Sequence, residues 1–221
     1  MVAEKIEYYL NELPKSVKLV AVSKTKPEEL IMEAYNIGHR VFGENKIQDL
    51  VRKYENMPKD IEWHFIGHLQ TNKIKYIAPF VSLVHAVDSF KLLKAINKEA
   101  KKANRKINCL FQIYIAQENT KFGLNKNELF EILDSNEFNE LQNINICGLM
   151  GMATNTDDKE QIANEFKSLS DLKNELKEKY FNNNPDFKEI SMGMSGDYKI
   201  AIEQGSTMVR IGSDIFGARN Y

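Results

Sequence analysis

VKLVAVSKTKPEELIMEAYNIG, Val17–Gly38, decides how the chain is read. Val17 to Val22 is an apolar run broken only by Lys18, short and β-branched enough for a buried strand. It stops abruptly at Ser23-Lys24-Thr25-Lys26. Pro27, Glu28 and Glu29 then suit the first turn of a helix: proline's missing N–H costs nothing there, and acidic side chains meet the positive end of the dipole. Gly38 marks the close of that helix. Strand, polar turn and helix make one β/α unit, with two lysines at the point where the strand ends.

The same beat continues outward. Further strands are predicted at His39–Phe42, Ile61–Ile66, Ser82–Val87, Ile107–Ile115, Ile144–Met150, Lys188–Met192 and Thr207–Ile211. Helices are predicted at Pro27–Asn36, Glu44–Glu55, Leu69–Ile77, Ser89–Ala103, Lys126–Leu133, Asp157–Tyr180 and Asp197–Gln204, with Ser89 and Asn125 as N-caps. MVAEKIEYYLNEL adds an amphipathic leading helix. Strands alternating with helices imply parallel pairing through right-handed crossovers. About eight such units predict an α/β fold, a single (β/α)8 TIM-type barrel over residues 1–221. The competing doubly wound sheet is disfavoured by the even spacing and by the lack of a glycine-rich dinucleotide turn after the first strand.

Composition narrows the function. The chain has 221 residues, 43% of them apolar, which suffices for one well-buried core. Lys plus Arg is 30 against Asp plus Glu 31, so no basic excess points to nucleic acid. The basic run Lys98–Lys106 includes Glu99 and is expected to be a solvated helix face. Cys109 and Cys147 lie in apolar segments and are expected to be reduced core residues. The N-terminus does not have the pattern of a signal peptide, and no run reaches the ~20 apolar residues of a membrane span. A cytoplasmic protein is expected.

A barrel keeps its chemistry at the C-terminal ends of the strands. Those ends carry Ser23-Lys24-Thr25-Lys26, Gly43-Glu44-Asn45, Gly67-His68, Asp88, Glu118-Asn119-Thr120-Lys121, Gly151 to Thr154, Gly193 to Gly196, and Gly212-Ser213. The last two loops, MGMSGDY and IGSDIFGAR, each place glycine and serine before a helical turn. Such turns offer backbone N–H donors to an anion, and a phosphate site after strands seven and eight recurs in barrels. The competing role for Ser195 and Ser213 is simple helix capping. A lysine opposite a phosphate cup suits a phosphorylated carbonyl ligand, provided the amine is neutral when it attacks. Lys24 is preferred because it lies closer to the regular strand; by alternation Lys26 would not share its direction, a rule that weakens once the chain turns, so Lys26 is either a second cation at the mouth or simply solvated. Arg210, inside the eighth strand, must point at a partner or at water. Facing inward, it would serve as a donor to a pyridine ring nitrogen.

At this point AVSKTKP, FGEN, WHFIGHLQTNK, GLMGMA, SMGMSGDYKIAIEQGSTMVRIGS and IFGAR, in this order, resemble the pyridoxal phosphate homeostasis proteins, the YggS type. The likeness runs from about Val17 to the C-terminus. It implies a single barrel like the N-terminal domain of alanine racemase. It implies that pyridoxal 5′-phosphate (PLP) forms a Schiff base with Lys24, and that Ser195, Gly212 and Ser213 hold its phosphate. Arg210 would lie near the pyridine nitrogen, and Asn45 would line the pocket.

The resemblance further implies a monomer that carries or buffers PLP for vitamin B6 homeostasis, meeting PLP-dependent apoenzymes transiently, without substantial turnover. A racemase is the alternative. That reading would need a second, β-rich domain, for which the chain, ending at Tyr221 just after strand eight, is expected to have no residues left, and a second acid/base, for which no tyrosine is obviously placed. A cofactor-free Schiff-base aldolase is a further alternative, drafting His68 or Glu44 as acid/base. His64 and His68 flank Gly67 outside any helix, so zinc ligation is not expected. His39 and His85 are expected to be hydrogen-bonded strand histidines, Trp63 to pack outside the barrel, and Met150, Met152, Met192 and Met194 to fill gaps near the mouth.

Overall fold

The computed structural model describes residues 1–117 and 122–217. The expected turn Glu118–Lys121 and the terminal 218–221 segment lie outside the described residues. Eight parallel strands close into a barrel in chain order: β1 (Lys18–Val22), β2 (Val41–Glu44), β3 (Glu62–Phe65), β4 (Leu83–Val87), β5 (Ile107–Gln112), β6 (Ile144–Met150), β7 (Glu189–Ser191) and β8 (Met208–Ile211). β1 pairs with β8 as well as with β2, which is the closure an open sheet lacks.

Helices cover the outside: α1 (Val2–Glu12), α2 (Glu28–Asn36), α3 (Ile47–Asn56), α4 (Ile74–Ile77), α5 (Phe90–Lys102), α6 (Lys126–Asp134), α7 (Asn136–Asn139), α8 (Lys159–Lys179), α9 (Tyr198–Glu203) and α10 (Ser213–Phe216). Their starts follow local chemistry. The Ser89 side chain accepts from Leu92 N at the head of α5, and Asn125 and Glu128 form a capping box on α6. α7 was not anticipated; Ser135 caps it through Phe138 N. The helix expected over Leu69–Ile77 is a 3-10 turn, Thr71–Lys73, running into α4. Pro79 allows no further helical turn.

β2 lies two residues later than predicted. Gly43 does not end it, because Gly43 pairs in register with His64 and its carbonyl accepts from Ser23 N at 3.0 Å. Glu44 is therefore the last residue of a strand, not the first of a helix. His39 precedes the strand, and its Nε2 bonds the Val41 carbonyl at 2.8 Å.

Strand alternation divides the core in two. One set, including Leu19, Ala21, Phe42, Trp63, Phe65, Phe111 and Leu149, packs outward under the helices. The expected place of Trp63 is among these. The other fills the barrel: Val20, Leu83, Ala86, Leu110, Cys147, Met150 and Met208. Ile6 and Tyr9 of α1, with Leu13 just beyond it, extend the outer core, and the Tyr9 hydroxyl donates to Asp214 at 2.9 Å. No described helix is long and apolar enough to cross a membrane.

Candidate functional site

A cavity of about 340 Å³ opens at the C-terminal end of the barrel. Lys24, Lys26, Asn45, Met152, Ser195, Gly196, Arg210, Gly212 and Ser213 are among its lining residues. All six residues singled out as a site by the sequence thus come together. Lys26 joins them, the second cation at the mouth. The reason is a turn: Lys26 N bonds the Ser23 carbonyl at 3.1 Å, and Thr25 takes φ +64°. A β-branched residue in the left-handed region costs about 1–2 kcal/mol, so the turn must be held by its surroundings.

Ser195 and Ser213 face each other, Oγ to Oγ at 3.3 Å. Neither α9 nor α10 has a side-chain cap bond. The capping role is therefore not what these serines do, and their hydroxyls point at shared space. Both helices are short, so backbone N–H groups and hydroxyls matter more here than a macrodipole. Gly67 lets the end of β3 pass against Asn45: a Cβ there would meet the Asn45 carbonyl oxygen at 2.3 Å. The Asn45 backbone therefore packs directly against Gly67. Asn45 Oδ1 is buried without a hydrogen-bond partner.

Arg210 rises from inside the barrel and is 5% exposed. Its NH1 donates to the Ser191 carbonyl at 2.7 Å and the Ser191 hydroxyl at 2.6 Å; NH2 donates to the Gly151 carbonyl at 3.1 Å. Burial pulls its pKa down to about 10, which still leaves it charged at neutral pH. Ser191 Oγ in turn lies 2.9 Å from His85 Nδ1, and His85 Nε2 lies 3.0 Å from His64 Nδ1. Both imidazoles are neutral: burial, then the Lys18 charge, holds His64 at about 3, and burial, His64, Arg210 and Lys18 depress His85.

Sequence reasoning found the ends of this chain and missed its middle. It placed His85 among hydrogen-bonded structural histidines, which is right in kind, but did not connect it to Ser191. The usable signal was parity, since His64, Ser191 and Arg210 all fall at inward positions of their strands. His64 and His68 separate completely, the latter being exposed and 3.1 Å from Asp88. Glu44 does not line the cavity. It is buried behind β2 with Lys53, so neither drafted aldolase acid/base has the position that reaction needs.

The fold and this site define a class. The family model described as alanine racemase, N-terminal domain, matches residues 2–220. Within that class the chain belongs to the pyridoxal phosphate homeostasis protein family. It is 41% identical over 213 residues to the pyridoxal phosphate homeostasis protein of Vibrio alginolyticus, covering 94% of this chain and 89% of that one. PipY of Synechococcus elongatus PCC7942, solved without PLP, superposes with a TM-score of 0.91 at 31% identity, covering 98% of this chain and 100% of that one. The same protein with PLP bound superposes at 0.89. Alanine racemase from Bartonella henselae shares the fold alone, at 16% identity and a TM-score of 0.67, covering 100% of this chain and 58% of that one.

Proposed function

We propose that this protein binds PLP covalently through Lys24 and carries or buffers it inside the cell, as a single barrel domain acting without substantial turnover. The bound cofactor would supply an aldehyde that condenses with a neutral amine and releases water. Everything else is the work of the chain. Lys24 is the amine, at the end of β1. Ser195 and Ser213, with the backbone at Gly212, hold the phosphate opposite it. Arg210, a donor that stays charged, faces the ring nitrogen and favours its unprotonated, accepting form. Asn45 Oδ1 would receive a ligand hydroxyl. The fit rests on volume, on a lining of lysines, an arginine and two serines suited to an anionic ligand, and on that unpartnered acceptor.

The observation that carries the carrier reading over a racemase is the list of titratable groups in the cavity. Among the described lining residues these are Lys24, Lys26 and Arg210, with no Asp, Glu, His, Tyr or Cys to act on the opposite face of a substrate. Racemisation needs proton transfer on both faces. The names of the curated relatives support the same reading. Transient transfer to apoenzymes and a monomeric state belong to this proposal. The test is to titrate the protein with PLP by absorbance, then to assay the loaded protein for interconversion of amino-acid enantiomers by chiral chromatography. Binding without turnover is expected. Turnover at the rate of an ordinary enzyme would replace the carrier with a racemase.

A further inference from the structure

Behind the cavity, outside the barrel wall, lies a buried charged cluster that no contact with a ligand explains. Lys53 of α3 and Glu44 of β2 are both 0% exposed, with Nζ 2.7 Å from Oε1. The same Nζ donates to the Ser23 carbonyl at 2.9 Å, and the Ser23 hydroxyl donates to Glu44 Oε1 at 2.6 Å. Burial pushes the Glu44 carboxyl up, while Lys53 and Ser23 pull it back. Its second oxygen, Oε2, has no partner. Such a cluster is a poor way to gain stability: well-packed apolar residues in place of a buried ion pair are often as stable or more so. Its position in the chain suggests what it does instead. Ser23 immediately precedes Lys24, and Glu44 immediately precedes Asn45. The Ser23 carbonyl that Lys53 grips is the one that closes the strained Thr25 turn through Lys26 N.

We infer that Ser23, Glu44 and Lys53 form a positioning clamp that fixes the Lys24 turn against Asn45, so that the amine meets the ligand's aldehyde in a reactive pose. The three residues touch no ligand; they act through Lys24. The apolar faces of β1, β2 and α3 would pack without them. What they add is a fixed direction for one carbonyl, and hence for the side chain that follows it. The inference rests on the PLP-carrier reading above, and the two can fail separately: if wild-type protein fails to capture PLP, that reading falls before any variant is made.

The test replaces the charges together, Glu44→Leu with Lys53→Met, and compares two ligands. PLP presents an aldehyde; pyridoxine 5′-phosphate has the same ring and phosphate but none. Thermal unfolding is recorded alongside. The clamp predicts a folded protein with near wild-type affinity for pyridoxine 5′-phosphate and capture of PLP slowed about tenfold or more, as for a reacting group misplaced by a fraction of an ångström. Equal loss of both ligands would assign the cluster to general structure and overturn the inference; so would unchanged capture of PLP. If the double replacement does not fold, Ser23→Ala keeps the ion pair and loses only the hydroxyl link. The same comparison then decides: selective slowing of aldehyde capture supports the clamp, and equal or no loss overturns it.

Discussion

The Arg210 guanidinium donates to the Ser191 hydroxyl at 2.6 Å, and this contact orders a chain of hydrogen bonds through the barrel. Arginine has no acceptor to offer. The Ser191 oxygen therefore accepts from Arg210, and among the described contacts its own proton has His85 Nδ1 as acceptor. His85 must then carry its proton on Nε2 and donate to His64 Nδ1, which leaves His64 protonated on Nε2 as well.

That ordering is directly measurable. Long-range proton–nitrogen NMR on imidazole-labelled protein should find His64 and His85 both neutral, both with the proton on Nε2. An Nδ1–H signal from either would reverse the chain and remove the support it gives Arg210. Ser191→Ala should leave His85 Nδ1 without its donor and shift that nitrogen's resonance.

Buried neutral histidines also set an acid limit. Their folded values lie below the unfolded value of about 6.5. Above that pH neither state takes the extra proton and the full stability is present. Below it the unfolded chain binds protons that the folded one refuses, so stability falls as pH drops, toward about 3 for His64. Each histidine contributes a slope of about 1.4 kcal/mol per pH unit. Urea unfolding at about pH 7, 6 and 5 should show stability falling with pH, with the slope steepening toward ~2.7 kcal/mol per unit for the pair. A flat profile would mean that the imidazoles are not held neutral.

The glycine–serine loops separate into structural and binding parts. Gly193 has φ +94°, and a Cβ there would lie 2.7 Å from Ala201 Cβ and 3.0 Å from Tyr198 Cα. Gly193→Ala should cost about 2–4 kcal/mol of stability, from strain and overpacking together. Ser195→Ala with Ser213→Ala should change stability by no more than about 0.5 kcal/mol. The same pair should weaken pyridoxine 5′-phosphate binding by about tenfold or more, because hydrogen bonds to a charged group are lost. Calorimetry on both variants checks each half.

The periodic beat of strands and helices was enough to read a barrel, and Val17–Gly38 already contained its unit. What the sequence obscured was local. Gly43 looked like a strand end because glycine is weak in strands, yet pairing with β3 carries the strand through to Glu44. Lys53 was not singled out. Its spacing from Ile47 and Leu50 put it on the buried face of α3, a signal that was present but needed a partner on another element to make sense. The same holds for the His85 link to Ser191, which joins residues 106 positions apart. Lys24, Arg210 and the two serines were legible because they interrupt an otherwise apolar or turn-like pattern at strand ends. Contacts between elements left no such mark.

The account depends most on Lys24 as the group that holds PLP. Protein mixed with PLP, reduced with borohydride and digested should give one phosphopyridoxyl peptide, modified at Lys24, and Lys24→Ala should give none. Label on Lys26 instead, or capture of PLP undiminished in Lys24→Ala, would contradict it.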